Sequence, residues 1–204
     1  MPYDPTKELV PVVMTTSQPN VLAVNADKVP AKTVAEFVTW AKAQAGKVNY
    51  SSLGNGSSAH LTMELFLAET GVQATHIPFN GSPPAAMAVA QGEADATFMV
   101  VLAVSSAQRP ESLKDVPTLA AAGYPNVESL AWNGLFASPG TPDAVVARIN
   151  ADVNEALKDA AVKSALESQG LTVVGGTASD FKRVIDGDVK RWGPVIEKLG
   201  VKLD

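Results

Sequence analysis

The sequence predicts an α/β fold built on a largely parallel sheet, and three observations carry that reading. Short β-branched or aromatic runs alternate with segments of helical period from Leu9 to Val104, the pattern of strand–helix–strand units. Two successive strand-to-helix turns, at 51–58 and 80–84, place glycine and serine just before an apolar helix. The 204 residues are 46% apolar and 18% charged, a composition that folds and fills one large core or two small ones.

The elements follow in order. Leu9–Met14 and Val21–Val24 read as strands flanking a polar kink at Thr15–Asn20. Thr33-Val34-Ala35-Glu36 is a capping box, in which hydroxyl and carboxylate serve the orphan amides of a helix start. That helix buries Val34, Phe37, Val38, Ala41 and Ala45 and stops at Gly46. Val48-Asn49-Tyr50 is a strand leading into Ser51-Ser52-Leu53-Gly54-Asn55-Gly56-Ser57-Ser58, after which a helix runs from Ala59 to about Thr70. Leu61, Leu65, Phe66 and Ala68 form its apolar stripe, and Gly71 ends it.

Ala74–Phe79 is the next strand, followed by Asn80-Gly81-Ser82-Pro83-Pro84 and a helix to Gln91, with Ser82 as N-cap and Gly92 as stop. Ala94–Val100 is a strand that Val101–Val104 continues or follows. Beyond residue 105 the texture changes. A polar stretch 105–112 leads to a short helix from Asp115-Val116-Pro117-Thr118 to Gly123, then a bent strand or strand pair Ser129–Ser138 containing Trp132. Pro139-Gly140-Thr141-Pro142 starts a long helix to about Asp159 with Val145, Ile149, Val153 and Leu157 along one face. A helix at 160–169, a strand at 171–174 and a terminal helix Ser179–Leu199, broken at Gly187 and Gly193-Pro194, complete the chain.

The repeated glycine–serine turn is the chemistry-bearing feature. The first amides of a helix have no internal partners, and the helix dipole adds about half a positive charge there. Glycine lets a ligand approach the backbone, and serine hydroxyls add adjustable donors. In a parallel sheet both turns emerge at the carboxyl ends of the strands, where ligands bind. A small carboxylate or phosphate fits such a site; the alternative is an ordinary βα loop capped by Ser57 or Ser58.

Other chemistry is thinly represented. Net charge is −5 with no long basic run, which argues against nucleic acid and anionic membrane surfaces. Cysteine is absent, so disulfides, thiol catalysis and thiolate metal sites are excluded. No HExxH, no GxSxG and no paired metal-ligand spacing occurs, so no catalytic residue, metal or cofactor is expected. His60 lies one turn into the helix behind the first loop, as a supporting hydrogen-bonding residue or a ligand contact; His76, on an alternating strand, reads as structural. Asp95 faces either a cleft or solvent, Trp132 packs in a core or stacks in a cleft wall, and Asp180, Asp186, Asp188, Lys190 and Arg191 read as a solvated face. Met1-Pro2-Tyr3-Asp4-Pro5 lacks the charged start and apolar core of a signal peptide, consistent with a cytoplasmic protein or one whose leader has been removed.

Several segments together resemble one family. They are Pro2-Tyr3-Asp4-Pro5, LAVN at 22–25, GKVNYSSLGNGSSAH, HIPFNGSPPA, GEADATF, LAVSS, DVPTLAAAGYP, AWNGLFASPGTPDAVVARIN and RWGPVIEKLGVKLD. In this order, along essentially the whole chain, they resemble the Bug/TctC group of periplasmic solute-binding proteins that serve tripartite tricarboxylate transporters. The resemblance implies a periplasmic-binding-protein type II fold of mixed, largely parallel sheets flanked by helices, its two lobes closing on ligand like a flytrap. Residues 1–104 would form the lobe with the two turns, and 105–204 the rest of the second lobe with the C-terminal helices. It implies a periplasmic receptor, not an enzyme, for a small carboxylate held by loop amides and hydroxyls, with membrane transporter subunits as partners and no membrane insertion of its own. The matching ligand-binding positions are Ser52, Gly54, Asn55, Gly56, Ser57, His60, Asn80, Gly81 and Ser82. Against the family pattern the first third is missing before Met1, and a segment is missing between Thr97 and Leu102, which would leave one lobe incomplete. The alternatives are a truncated, non-binding scaffold or interaction module, and an acyl- or phosphoryl-transfer enzyme.

Overall fold

The computed structural model describes residues 8–97, 101–105 and 116–199, and by its internal contacts the chain divides into two compact units. The sequence suggests a single cut after residue 104; the contacts separate the units after Gln18, after Leu130 and again after Pro194. The reason is local: Ser105 N donates to Asn20 O and Ser129 N to Ser105 O, both at 2.9 Å, which ties the segment after residue 104 to the strands before it.

The unit Pro19–Leu130 holds a five-stranded sheet. Its strands are β2 (Val21–Val24), β3 (Val48–Ser52), β4 (Ala74–Pro78), β5 (Ala96–Thr97) and β6 (Val101–Val104), in the order β4-β3-β5-β2-β6. β3 runs parallel to β4 and β5, whereas β2 is antiparallel to β5 and β6. The sheet is therefore mixed, with its parallel part at the end that carries the two turns. Val101–Val104 begins a new strand rather than extending β5. Residues 98–100, where the missing segment is expected, lie outside the described residues.

Three helices accompany this sheet: α1 (Val34–Ala43), α2 (Ser58–Thr70) and α3 (Ser82–Ala90). The Thr33 hydroxyl accepts from Glu36 N, and the Glu36 carboxylate reaches back to Lys32 N at 2.7 Å, one residue before the expected partner. α2 ends on Gly71 in the left-handed region, φ 68°, a conformation glycine adopts without a Cβ penalty. The core gathers Val24, Val29, Phe37, Val48, Tyr50, Met63, Phe66 and Val127. On α2 the buried apolar residues are Ala59, Leu61, Met63, Phe66 and Leu67, while Ala68 is exposed and Leu65 half-buried; the helix is covered on more than one side, which a single-stripe reading misses. Asp95 belongs neither to a cleft nor to solvent, since its carboxylate accepts from Asn49 N at 2.9 Å. The stretch 118–123 is a succession of turns in which Thr118 Oγ1 accepts from Ala121 N, not a helix; Asp115 and residues 106–112 lie outside the described residues.

The other unit, containing Ala131–Pro194, has a three-stranded sheet β7-β1-β8 formed by β1 (Val10–Pro19), β7 (Leu130–Ala137) and β8 (Thr172–Val173). The expected kink at 15–20 is strand as far as Pro19, because Thr16 and Ser17 pair with Val173 and Thr172. Its helices are α4 (Asp143–Ala156), α5 (Ala160–Glu167) and α6 (Ala178–Leu199). α4 turns Val146 inward with Val153 packed against the same core and Leu157 half-buried, and leaves Val145 and Ile149 exposed, so only the C-terminal half of the expected face points inward. Asn150 sets this phase by donating to Val12 O and Gly176 O. α6 passes unbroken through Gly187 and Pro194; Pro194 is exposed, so water can meet the carbonyl it leaves free. Asp188 is no solvated residue: it accepts from Trp132 Nε1 at 2.7 Å, and Trp132 stacks edge-on against buried Phe181.

Candidate functional site

The parallel register of β3 and β4 builds the site. It pairs Tyr50 with His76 and Ser52 with Pro78, so both strands end side by side and both turns leave from one edge of the sheet. The turns are joined by hydrogen bonds: Phe79 N donates to Ser52 O at 3.0 Å and Gly81 N to Leu53 O at 3.4 Å. Gly54 and Gly81 carry φ of 133° and 103°, and a Cβ on Gly54 would stand 3.6 Å from Phe79 O. The positive φ of both residues, rather than any lack of space, is what favours glycine here.

Not every amide in these turns is free. Ser57 N donates to Gly54 O, Gly56 N to His60 Nδ1 at 3.0 Å, and His60 N to the Ser57 hydroxyl, which makes Ser57 the N-cap of α2. The amides of Asn55, Ser58, Ala59 and Ser82 find no acceptor among the described residues. In the second turn Gly81, not Ser82, is the N-cap, and Ser82 is the first helical residue. Pro83 and Pro84 follow it and have no N–H. The positive end of α3 therefore offers a single unpartnered donor, where α2 offers two.

Of the expected site residues, Asn55, Asn80 and Ser82 are exposed, and Gly54, Gly56, Ser57 and Gly81 half-buried. Ser52 and His60 are buried. The Ser52 hydroxyl meets His76 Nε2 at 2.6 Å and accepts from Gly54 N at 3.2 Å, so it shapes the turn from behind.

Sequence reasoning missed the aromatic layer beneath the turns. His76 stacks on Tyr50 with ring centroids 4.8 Å apart, and on His60 at 4.0 Å with planes 9° apart. The Tyr50 hydroxyl donates to Glu64 in a short hydrogen bond. Burial, reinforced by Glu64, raises the Tyr50 phenol far above its ordinary value. Burial and the neighbouring His60 lower His76 to about 4, and burial lowers His60 against the opposing pull of Glu64. The available signal was the spacing of Tyr50 and His76 from their strand ends, which is equal only once the register is known. No Lys or Arg occurs between Lys47 and Arg109, so neither turn carries a fixed cation. Among the described residues no cluster of three His, Asp, Glu or Cys could hold a metal, and no helix is long and apolar enough to cross a membrane.

A family model described as the tripartite tricarboxylate transporter family receptor matches residues 1–201. Protein BugT of Bordetella pertussis is 32% identical, with all of this chain covering 66% of the relative. A Rhodopseudomonas palustris protein solved with adipate superposes with a TM-score of 0.87 at 30% identity, covering 98% of this chain and 71% of that one. MatC of the same organism, solved with bound malate, gives 0.84 at 27% identity, covering 95% and 71%. The chain spans 62, 66 and 64% of the length of three curated relatives it matches.

Proposed function

From its membership of the tripartite tricarboxylate transporter receptor family, we propose that this chain is the ligand-capturing part of a periplasmic receptor that takes up a small carboxylate and delivers it to a membrane transporter, without chemistry of its own. The observation that carries this reading is the pair of turns at one sheet edge, hydrogen-bonded to each other and carrying unpartnered amides at Asn55, Ser58, Ala59 and Ser82. The hydroxyls of Ser57 and Ser82 and the amides of Asn55 and Asn80 complete the contacts, with Gly54, Gly56 and Gly81 allowing close approach. Ser52 and His60 hold the turn in shape. The malate and adipate in related structures support a dicarboxylate of four to six carbons as the ligand class.

Each hydrogen bond to a carboxylate contributes about 1.5–3 kcal/mol net. Four such bonds give about 6–12 kcal/mol, and with association costs of about 4 kcal/mol or more the tightest affinity they support is roughly micromolar. The test is calorimetry and thermal shift with malate, adipate, succinate, citrate and benzoate. A ligand at a hundred times its Kd adds about 2.7 kcal/mol of stability, and Gly56→Val, which blocks backbone approach, should abolish the shift. No response across the panel from folded protein would overturn the reading and favour a non-binding module.

A further inference from the structure

The two turns contain no Lys or Arg, so within them a bound carboxylate meets only neutral donors and helix dipoles unless an imidazole takes up a proton. Two imidazoles lie stacked directly behind the first turn, and their hydrogen bonds distinguish them. His60 Nδ1 accepts from Gly56 N, so it carries no proton, and protonating it would set two donors against each other and break the turn. His76 Nε2 faces the Ser52 hydroxyl, which can accept as readily as donate. A proton on His76 thus costs no hydrogen bond: Nε2–H donates to Ser52 Oγ, and the hydroxyl turns to Gly54 O, 3.1 Å away.

We propose that His76 is the proton-binding partner of the carboxylate, so that loading the turns places one proton on His76 and the site takes up ligand and proton together. This rests on the receptor reading above. The ionisable groups stacked on His76 are Tyr50 of β3 and His60 of α2; Glu64 of α2 is bonded to the Tyr50 hydroxyl, and α3 carries none. Tyr50 stays protonated and bonded to Glu64, and His60 is held neutral by Gly56, which leaves His76 as the group whose charge can change. In the free protein its pKa is about 4 because burial and His60 disfavour the cation; a carboxylate close by favours it. Between the free and loaded values, affinity falls about tenfold for each unit rise in pH.

The experiment is calorimetric titration of malate and adipate into the chain at pH 5.5, 6.5 and 7.5, in buffers of differing ionisation enthalpy. The expected result is a binding enthalpy that varies with the buffer, with proton uptake largest at pH 5.5 and shrinking toward pH 7.5, and affinity weakening as pH rises. His76→Gln should bind without proton uptake and with a flat pH profile. Binding with a buffer-independent enthalpy in the unaltered chain overturns the proposal while leaving the receptor reading intact. Absence of binding heat at every pH overturns the receptor reading and the proposal with it. Uptake that survives His76→Gln assigns the proton elsewhere and likewise overturns it.

Discussion

His76 lies face to face with His60, their ring centroids 4.0 Å apart and their planes within 9° of parallel. One ring comes from an edge strand and the other from the helix after its neighbour, so the sheet register and the position of α2 together fix the stack. Each imidazole loses solvent to the other, and a charge on either would repel a charge on its partner.

The pair makes stability depend on pH with a definite sign. The folded pKa of His76 is about 4, below the ordinary 6.5. As pH falls below 6.5 the unfolded chain binds a proton that the folded chain refuses. The contribution is complete above about pH 6.5 and is lost progressively toward pH 4, amounting to roughly 2–3 kcal/mol. Urea unfolding between pH 7.5 and 4 should show this loss on top of that from carboxylates. His76→Gln should have a shallower profile, and parallel profiles for the two proteins would count against the assignment.

Gly134 in β7 is set by the ring of Phe181. A Cβ there would lie 2.6 Å from Phe181 Cε1 and 3.0 Å from Val13 O. Phe181 is fully buried between Trp132 and Phe136 and has no room to retreat. Gly134→Ala should cost about 1–3 kcal/mol, in the range of overpacked cores, and Phe181→Leu in the same chain should restore part of it. A melting temperature unchanged by Gly134→Ala would refute this account.

What was legible in the sequence is what local rules decide. The Thr33 and Ser57 caps, the Gly71 stop and the two turns follow from residue type at a helix end, and the alternation of elements gave the fold class. What was not legible depends on partners distant in sequence. Thr16 and Ser17 are strand because β8 pairs with them, and α4 is rotated because Asn150 reaches Val12 and Gly176. His76 reads as structural from its place on the strand, and its contacts with Ser52 and His60 follow only from the β3–β4 register. The two prolines at the second turn were visible, but their effect on the amide supply appears only when the turns are compared donor by donor.

Asn20 should prove as sensitive as a core residue. Its amide nitrogen donates to Thr62 Oγ1 and Ser129 Oγ at 3.0 and 3.1 Å, and its backbone N–H donates to Ser105 Oγ. Ser58, the first residue of α2, donates to its side-chain oxygen at 3.3 Å. Asn20→Ala would remove two buried side-chain hydrogen bonds, at about 0.5–1.5 kcal/mol each, while Thr62 keeps its bonds to Ser129 Oγ and Ser58 O, so that no buried hydroxyl is stranded. Denaturant midpoints measure this, and a loss within a few tenths of a kcal/mol would mean the network adds little.

Pro84 gives the most direct test of whether both turns hold the ligand. It is the third residue of α3, where an N–H would point outward with no partner in the helix, and the Gly81 cap has no side chain to accept from it. Pro84→Ala would create that donor beside Ser82. If the carboxylate spans both turns, affinity for malate should rise by up to about tenfold, the worth of one added hydrogen bond near 1.4 kcal/mol. The same change frees the unfolded chain and should lower stability by about 0.4–1 kcal/mol, so affinity and stability would move in opposite directions. If the ligand sits on the first turn alone, the stability loss should appear without the affinity gain. Calorimetry and denaturant unfolding on one variant therefore decide how far the second turn takes part in binding.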